Sequence, residues 1–405
     1  MLVVVALAGC KPDQAPVRDD TAVGSSSGDA MVADARPIGA VATIDAAPAK
    51  LFVNGAGRCG ECHEKMFDEW ERSGHANAAS SALYKTAQAA ANDPTCDRCH
   101  APIAIAAPHD VVAQEGVTCD VCHTLREPVP SVAGGAFRLA IDDMVKYGPR
   151  CDLPDHYFHR MGCSKEHRQA ELCGSCHWWE PAGIPVFTEY RDWRDSPAGK
   201  ANRPCQSCHM PGDRAVVATG SPARKGVPHH GFMGRELRRH ALELRVTLSD
   251  REGGLEVAIE LHNLGDGHTV PTGLPERRIE VVVHVTDAAG GVLHDERAEY
   301  GRVLADATGN EVAFWRATQV LRDSRIPASG SVRWPVAVTA PAAGRVRVEV
   351  VYRGVARAIA QQLALRDVET VPLLSADVAF EAPRRGVRAT LPRTRIVKPP
   401  GPGAR

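Results

Sequence analysis

The sequence predicts a multidomain chain: a mainly α-helical and irregular domain, then an all-β sandwich of immunoglobulin/fibronectin-like kind. Three observations predict it. The string C-x-x-C-H occurs five times between Cys59 and His209. A period-two alternation of apolar residues begins near residue 238. Ahead of both, residues 11–50 hold no aromatic residue and are rich in Ala, Asp, Pro, Gly and Ser. The chain has 405 residues, 44% hydrophobic and 24% charged, the balance of a globular chain of two or three domains. A formal net charge of -1 gives no electrostatic case for a nucleic-acid partner. No apolar run approaches the ~20 residues of a membrane-spanning helix.

The first ten residues read as an export signal. The apolar run Leu2 to Gly9 ends Leu7-Ala8-Gly9-Cys10, which resembles a lipoprotein signal cut before a lipidated Cys10. No Lys or Arg precedes the run, so an upstream start or a truncated copy is implied. A chance apolar terminus with a free Cys10 is the alternative. Residues 11–50 cannot bury enough apolar surface to offset their ordering entropy. As a flexible tether they reach about 35 Å root-mean-square.

The first domain is expected over residues 51–235. Its motifs are Cys59-Gly-Glu-Cys62-His63, Cys96-Asp-Arg-Cys99-His100, Cys119-Asp-Val-Cys122-His123, Cys173-Gly-Ser-Cys176-His177 and Cys205-Gln-Ser-Cys208-His209. Each is the attachment signature of c-type haem. Two Cys three positions apart can each form a thioether to a haem vinyl group. The following imidazole then binds the iron as proximal ligand. With 13 Cys and 17 His in the chain, chance supplies about 0.02 such strings. Structural zinc would use paired thiolates, but five pairs leave one over, and zinc has no need of a His at the same offset each time. Plain disulfides do not explain the His either. Five haems in so short a stretch leave little protein core. The macrocycles must supply much of it and lie close together, which makes a path for electrons.

Twelve His lie outside the motifs, and five would complete two-imidazole ligation throughout. That arrangement leaves no open iron and lacks the Met ligand that raises potential. His75 is the foremost distal candidate. It follows an expected helix, Glu64 to Ser73, whose Phe67 and Trp70 would face the core. His229 or His230, His109 and His268 are further candidates. One of His156, His159 and His167 is expected to ligate, and His159 is taken as the candidate. His240, His262, His284 and His294 read as surface or strand residues, and Met210 as packing. The leftover Cys151 and Cys163 are expected to form a disulfide around His156 and His159; two free thiols are the alternative. There is also an internal echo. Asp68-Glu-Trp70-Glu-Arg-Ser73-Gly-His75 resembles Arg191-Asp-Trp193-Arg-Asp-Ser196-Pro-Ala198, with no His in the second copy.

These strings resemble the multihaem cytochrome c family that includes the tetrahaem partner of hydroxylamine oxidoreductase. The likeness covers about residues 55–235. It is carried by the first motif leading to Trp70-Glu-Arg-Ser73-Gly-His75-Ala76 and by Glu115-Gly-Val-Thr-Cys119-Asp-Val-Cys122-His123. The run Thr188 to Ser196, with Cys205-Gln-Ser-Cys208-His209-Met-Pro211, adds to it. The resemblance implies stacked haem pairs, mostly two-His iron, and electron transfer in the periplasm or at the cell surface. It also implies that His75 ligates a haem other than the first. Catalytic pentahaem nitrite reductases carry CxxCK; all five motifs here end in His, which disfavours that activity.

The sandwich is expected over residues 236–372. Leu242, Leu244, Val246 and Leu248 alternate with polar residues, as do Leu255 to Leu261, Ile279 to Val285 and Val346 to Tyr352. Asp287-Ala-Ala-Gly-Gly291 is a turn, and short strands with turn signals point to a β-sandwich. The loop Gly265 to Gly273 is similar to one that follows haem domains in related cytochromes. Residues 373–405 read as a tail, basic and Pro/Gly-rich at its end. The expected function is an exported electron carrier with five covalent haem c groups and their iron. It would be lipid-anchored at Cys10 in the bacterial periplasm or at the cell surface, with the outer membrane as the expected site. Other redox proteins are its expected partners. Two alternatives are a reductase or oxidase of small nitrogen or sulfur compounds at one open iron, and a haem-bearing subunit of a larger redox complex docked by the sandwich.

Overall fold

The computed structural model describes residues 54–106, 111–141, 144–339, 343–381 and 393–398. Cys10, the tether and His109 lie outside the described residues. Among the described residues no helix is long and apolar enough to cross a membrane.

The haem-motif region is made of short helices. A string with Cys at i and i+3 and His at i+4 fills one helical turn, so its three side chains share a face. The motifs accordingly sit on Asp97–His100, Cys119–Thr124 and Gln206–His209, and at the ends of Ala56–Gly60 and Glu171–Gly174. The helix expected from Glu64 to Ser73 runs Glu64–Glu71, because Ser73 leaves the helix to cap the next turn: its Oγ accepts the N–H groups of His75 and Ala76 at 3.2 and 3.3 Å. Phe67 and Trp70 of that helix touch, with centroids 5.9 Å apart, but stay half-buried. The protein's own core here is small: Ile103, Val112, Val121, Leu125, Phe137, Leu139 and Ile141.

Polar side chains join the first and third motifs. Glu115 accepts the N–H of Ala56 at 2.7 Å, and Asp120 accepts that of Asn54 at 2.8 Å. Asp120 is buried and paired with Lys146 at 2.6 Å. Gly116 has φ +74°, and a Cβ there would lie 2.6 Å from the His75 carbonyl oxygen, so only glycine fits this approach.

The strand region carries the expected alternation. Its strands are β1 (Leu242–Arg251), β2 (Gly254–Asn263), β3 (Arg278–Asp287), β4 (Val292–Tyr300), β5 (Arg302–Ala305), β6 (Gln319–Asp323), β7 (Ser331–Val338), β8 (Ala343–Arg353), β9 (Thr370–Glu381) and β10 (Arg393–Val397). Two four-stranded antiparallel sheets have the orders β4-β3-β8-β9 and β7-β2-β1-β10, and β5 pairs with β6. Leu244, Val246 and Val257 of one sheet share a single buried cluster with Val281, Val283 and Val348 of the other. Pro335 and Pro372 stand on β7 and β9, the edge strands where a missing N–H is tolerated.

The sheets run past residue 372, which corrects the expected tail. β9 puts Leu374, Ala376 and Phe380 into the core at 7%, 1% and 6% exposure, and β10 pairs with β1. Ser375 and Asp377 on the outer face alternate with these buried residues, and basic, proline-rich sequence follows the strand.

Candidate haem-binding sites

Four of the five motifs place their histidine by a backbone contact. The Nδ1 of His63 lies 2.7 Å from the Val217 carbonyl oxygen, and that of His100 2.9 Å from Ala78. His123 Nδ1 is 2.7 Å from the Tyr147 oxygen, and His209 Nδ1 3.0 Å from that of Phe232. An Nδ1–H donated to a carbonyl leaves the Nε2 lone pair for a metal, the usual orientation of a ligating imidazole.

An iron held between two imidazoles, with ~2 Å metal–nitrogen bonds, sets the ring centroids about 6.3 Å apart. Four motif histidines have a second imidazole near that distance. His63 faces His159 at 6.3 Å, and His177 faces His75 at 6.2 Å. His123 faces His230 at 6.4 Å, and His209 faces His268 at 6.1 Å. His167 also approaches His123, but at 5.6 Å, short for that geometry. The structure thus brings His75 to the fourth motif, not the first. His230 Nδ1 lies 2.9 Å from the Pro228 oxygen and His268 Nδ1 3.1 Å from that of Thr269, again turning Nε2 free. His75 is half-buried, with its Nδ1 atom buried and unpartnered.

Burial, with neighbouring imidazoles adding to it, lowers the pKa of His75 to about 3. Burial likewise holds His167, His209 and His230 at about 4. His100, His123 and His159 move the same way for the same first cause. These rings stay neutral, the form that ligates.

The other candidates fall elsewhere. His229 is not brought opposite a motif histidine; its Nε2 is 3.5 Å from Glu69 and its Nδ1 accepts the Gly231 N–H. Glu69 also accepts the His230 N–H at 2.7 Å, so this carboxylate decides which of the two neighbours turns inward. His156 stacks with Tyr157 and Phe158. Cys151 and Cys163 are disulfide-bonded, with Cα atoms 4.6 Å apart, and close the loop that carries His159. Around His100 the described residues offer Tyr84, which stacks on the ring at 4.2 Å and donates to Asp97 at 2.7 Å. Neither Tyr84 nor Asp97 was legible as a site residue, since their contact joins a helix face to the interior of a motif.

Cysteines of different motifs stand side by side: Cys59 with Cys119, Cys99 with Cys176, and Cys173 with Cys205. The fourth motif therefore touches both the second and the fifth. Among the described residues no three His, Cys, Asp or Glu converge as a metal-binding group, so the four-ligand set that structural zinc takes is not formed. Paired cysteines, oriented proximal imidazoles and facing neutral imidazoles fit haem c.

The internal echo is structural. Trp70 Nε1 donates to the Val117 oxygen at 2.9 Å and Trp193 Nε1 to the Arg203 oxygen at 2.7 Å. Both acceptors stand two residues before a motif's first cysteine, Val117 before Cys119 of the third motif and Arg203 before Cys205 of the fifth. Where the first copy has His75, the second has Ala198, whose N–H donates to Asp266 of the loop 265–273 at 3.1 Å. That loop carries His268.

Residues 58–124 match the family model described as cytochrome c554 and c-prime. No curated protein sequence matches the chain. Among solved structures, a penta-heme cytochrome c552 from Thermochromatium tepidum is similar in fold. Its TM-score is 0.65 at 21% identity, over 81% of this chain and 99% of that one. By its motifs and that matched segment the chain resembles the multihaem cytochromes of the c type, and its fold is similar to that of the penta-heme protein.

Proposed function

We propose that the chain holds five haem c groups and carries electrons along them between other redox proteins. The observation that carries this reading is the set of four facing imidazole pairs, 6.1 to 6.4 Å between centroids, on motifs whose cysteines stand side by side. When bound, haem c supplies a one-electron iron centre. The chain's residues do the rest. Ten cysteines hold the groups covalently, and His63, His100, His123, His177 and His209 serve as proximal ligands. His159, His230, His75 and His268 close the far side of four of them. His109, a distal candidate from the sequence, lies outside the described residues. Paired imidazoles without Met keep potentials low, and the neighbouring cysteines group the motifs as first–third and second–fourth–fifth.

The proposal extends to export, lipidation at Cys10, a tether over residues 11–50 and a place in the periplasm or at the cell surface, all on the lipobox-like string and the C-x-x-C-H chemistry. It also reads the two sheets as an immunoglobulin/fibronectin-like sandwich. Intact mass and a haem stain, after expression with c-type maturation machinery, test the count: five haem masses are expected, and fewer overturn it.

A second reading, reduction of a small nitrogen or sulfur compound at one open iron, draws on the contrast between His100, stacked on Tyr84, and the four paired histidines. Carbon monoxide added to the reduced protein separates the two. Uptake well below one equivalent supports the carrier. A full equivalent, with turnover of such a compound, overturns it.

A further inference from the structure

The loop that delivers His268 contains Gly265, Gly267 and Gly273 and has little stiffness of its own. It is held from two sides. On the sheet side Asn263, fully buried, donates to the carbonyl oxygens of His268 at 3.0 Å and Ile326 at 3.3 Å. On the motif side the loop meets the helix Glu189–Asp195, which lies between the fourth and fifth motifs. Asp192 Oδ2 accepts from Thr269 Oγ1 at 2.8 Å and from Arg325 Nη1 at 2.9 Å. The same Nη1 reaches Thr269 Oγ1 at 2.6 Å and Thr188 Oγ1 at 3.2 Å. The other side of the guanidinium binds Asp323, with Nε to Oδ1 at 2.9 Å and Nη2 to Oδ2 at 3.0 Å.

One guanidinium thus joins the end of β6, the start of a helix between two motifs, and the residue that follows His268. The Arg325 and Asp192 side chains are only 10% and 11% exposed, so little water competes. Charge-assisted bonds in such a place are about twice as strong as neutral ones. Without the arginine, the buried Asp192 charge would keep only Arg191, whose Nε is 3.9 Å from its Oδ1, and next to His268 the Thr269 hydroxyl alone would tie the loop to the helix.

We propose that Arg325 is the positioning residue for His268: it clamps Thr269 against Asp192 and so holds the imidazole opposite His209. This rests on the reading of His268 as an axial ligand. The strand region is then a working part of the fifth site, not a cap beside it.

The test is made on the fully loaded, full-length protein. Electron paramagnetic resonance and near-infrared magnetic circular dichroism count low-spin and high-spin ferric haem. His268→Ala sets the reference and is expected to turn one haem equivalent from low to high spin. Arg325→Met is expected to turn part of that same equivalent, and Arg325→Lys, which keeps a cation for Asp192, a smaller part. A merely structural role would lower the melting temperature and leave the spin count alone. If Arg325→Met stays low-spin while His268→Ala does not, the positioning role is overturned and the ligand reading stands. If His268→Ala leaves the spin count unchanged, the ligand reading itself falls. If Arg325→Met does not fold, Thr269→Val removes the clamped hydroxyl at nearly constant volume. A high-spin fraction then supports the proposal, and an unchanged count overturns it.

Discussion

The two halves of this chain are held together by different means. The strand region closes on a cluster of Val, Leu and Ile drawn from both sheets, with Leu244, Val257, Val283 and Val348 wholly buried. The haem-motif region has a core of seven apolar residues, helices of four to ten residues, and a lattice of imidazole and thiol contacts. Burial of apolar surface contributes about 25 cal/mol per Å², and the first region has far more of it than the second. What holds each region follows: the strand region folds on its own side chains, while the motif region depends on what its cysteines and histidines bind.

The sharpest way to break this comparison is to withhold haem. Polypeptide made without c-type maturation machinery is expected to show fast amide exchange throughout 54–235 and slow exchange in β1, β2, β3 and β8. Exchange mass spectrometry resolves the two regions. Equal protection in both would mean that the motif region has a sufficient core of its own.

Mild acid is a gentler probe. His75 is held down to about 3, and His167, His209 and His230 to about 4, by burial, against an ordinary 6.5. Above pH 6.5 these rings are neutral folded or unfolded, so they add no pH dependence. Below it the unfolded chain binds protons that the folded region excludes, and stability falls as pH drops toward about 4. Carboxylates with lowered pKa, such as Asp323 and Glu369, start to lose stability only below their ordinary values, nearer 4. Between pH 6.5 and 5 the Soret-detected melt is therefore expected to drop while the sheet melt holds. Parallel movement of the two would remove the imidazoles as the cause.

The same division explains what could be read from the sequence. The motifs and strands are local patterns, one helical turn or a period of two, so their elements and the proximal residues stand out by eye. The disulfide Cys151–Cys163 closes a short loop and was legible too. Which imidazoles face one another is set by tertiary structure. Nothing near His229 and His230 says which one turns inward, because Glu69, far away in sequence, holds the first and binds the backbone of the second. His268 stood out as a candidate, but the motif histidine it faces did not, because Arg325 and Asp192, which contact Thr269 of its loop, lie in other elements. β9 carries the same alternation from Leu374 to Phe380 but was passed over beside the basic, proline-rich stretch that follows it.

The smallest effect compares the two copies of the internal echo. Ser73 Oγ accepts the N–H groups of His75 and Ala76 at 3.2 and 3.3 Å; Ser196 Oγ accepts that of Gly199 at 3.1 Å. Both close a turn after a tryptophan, and removing such a cap costs about 1 kcal/mol. Ser73→Ala and Ser196→Ala are therefore expected to destabilise by similar amounts in denaturant titrations. They should part in their spectra. The first turn carries an imidazole that faces His177, so losing its cap loosens a facing pair and should add high-spin signal at one haem. The second turn carries Ala198 and reaches the His268 loop only through one backbone N–H, so its loss should leave the spin count nearly unchanged. Identical spectra for the two variants would mean that His75 is fixed by its burial and by the edge contact with Phe232 at 4.1 Å, with the serine needed for the fold alone.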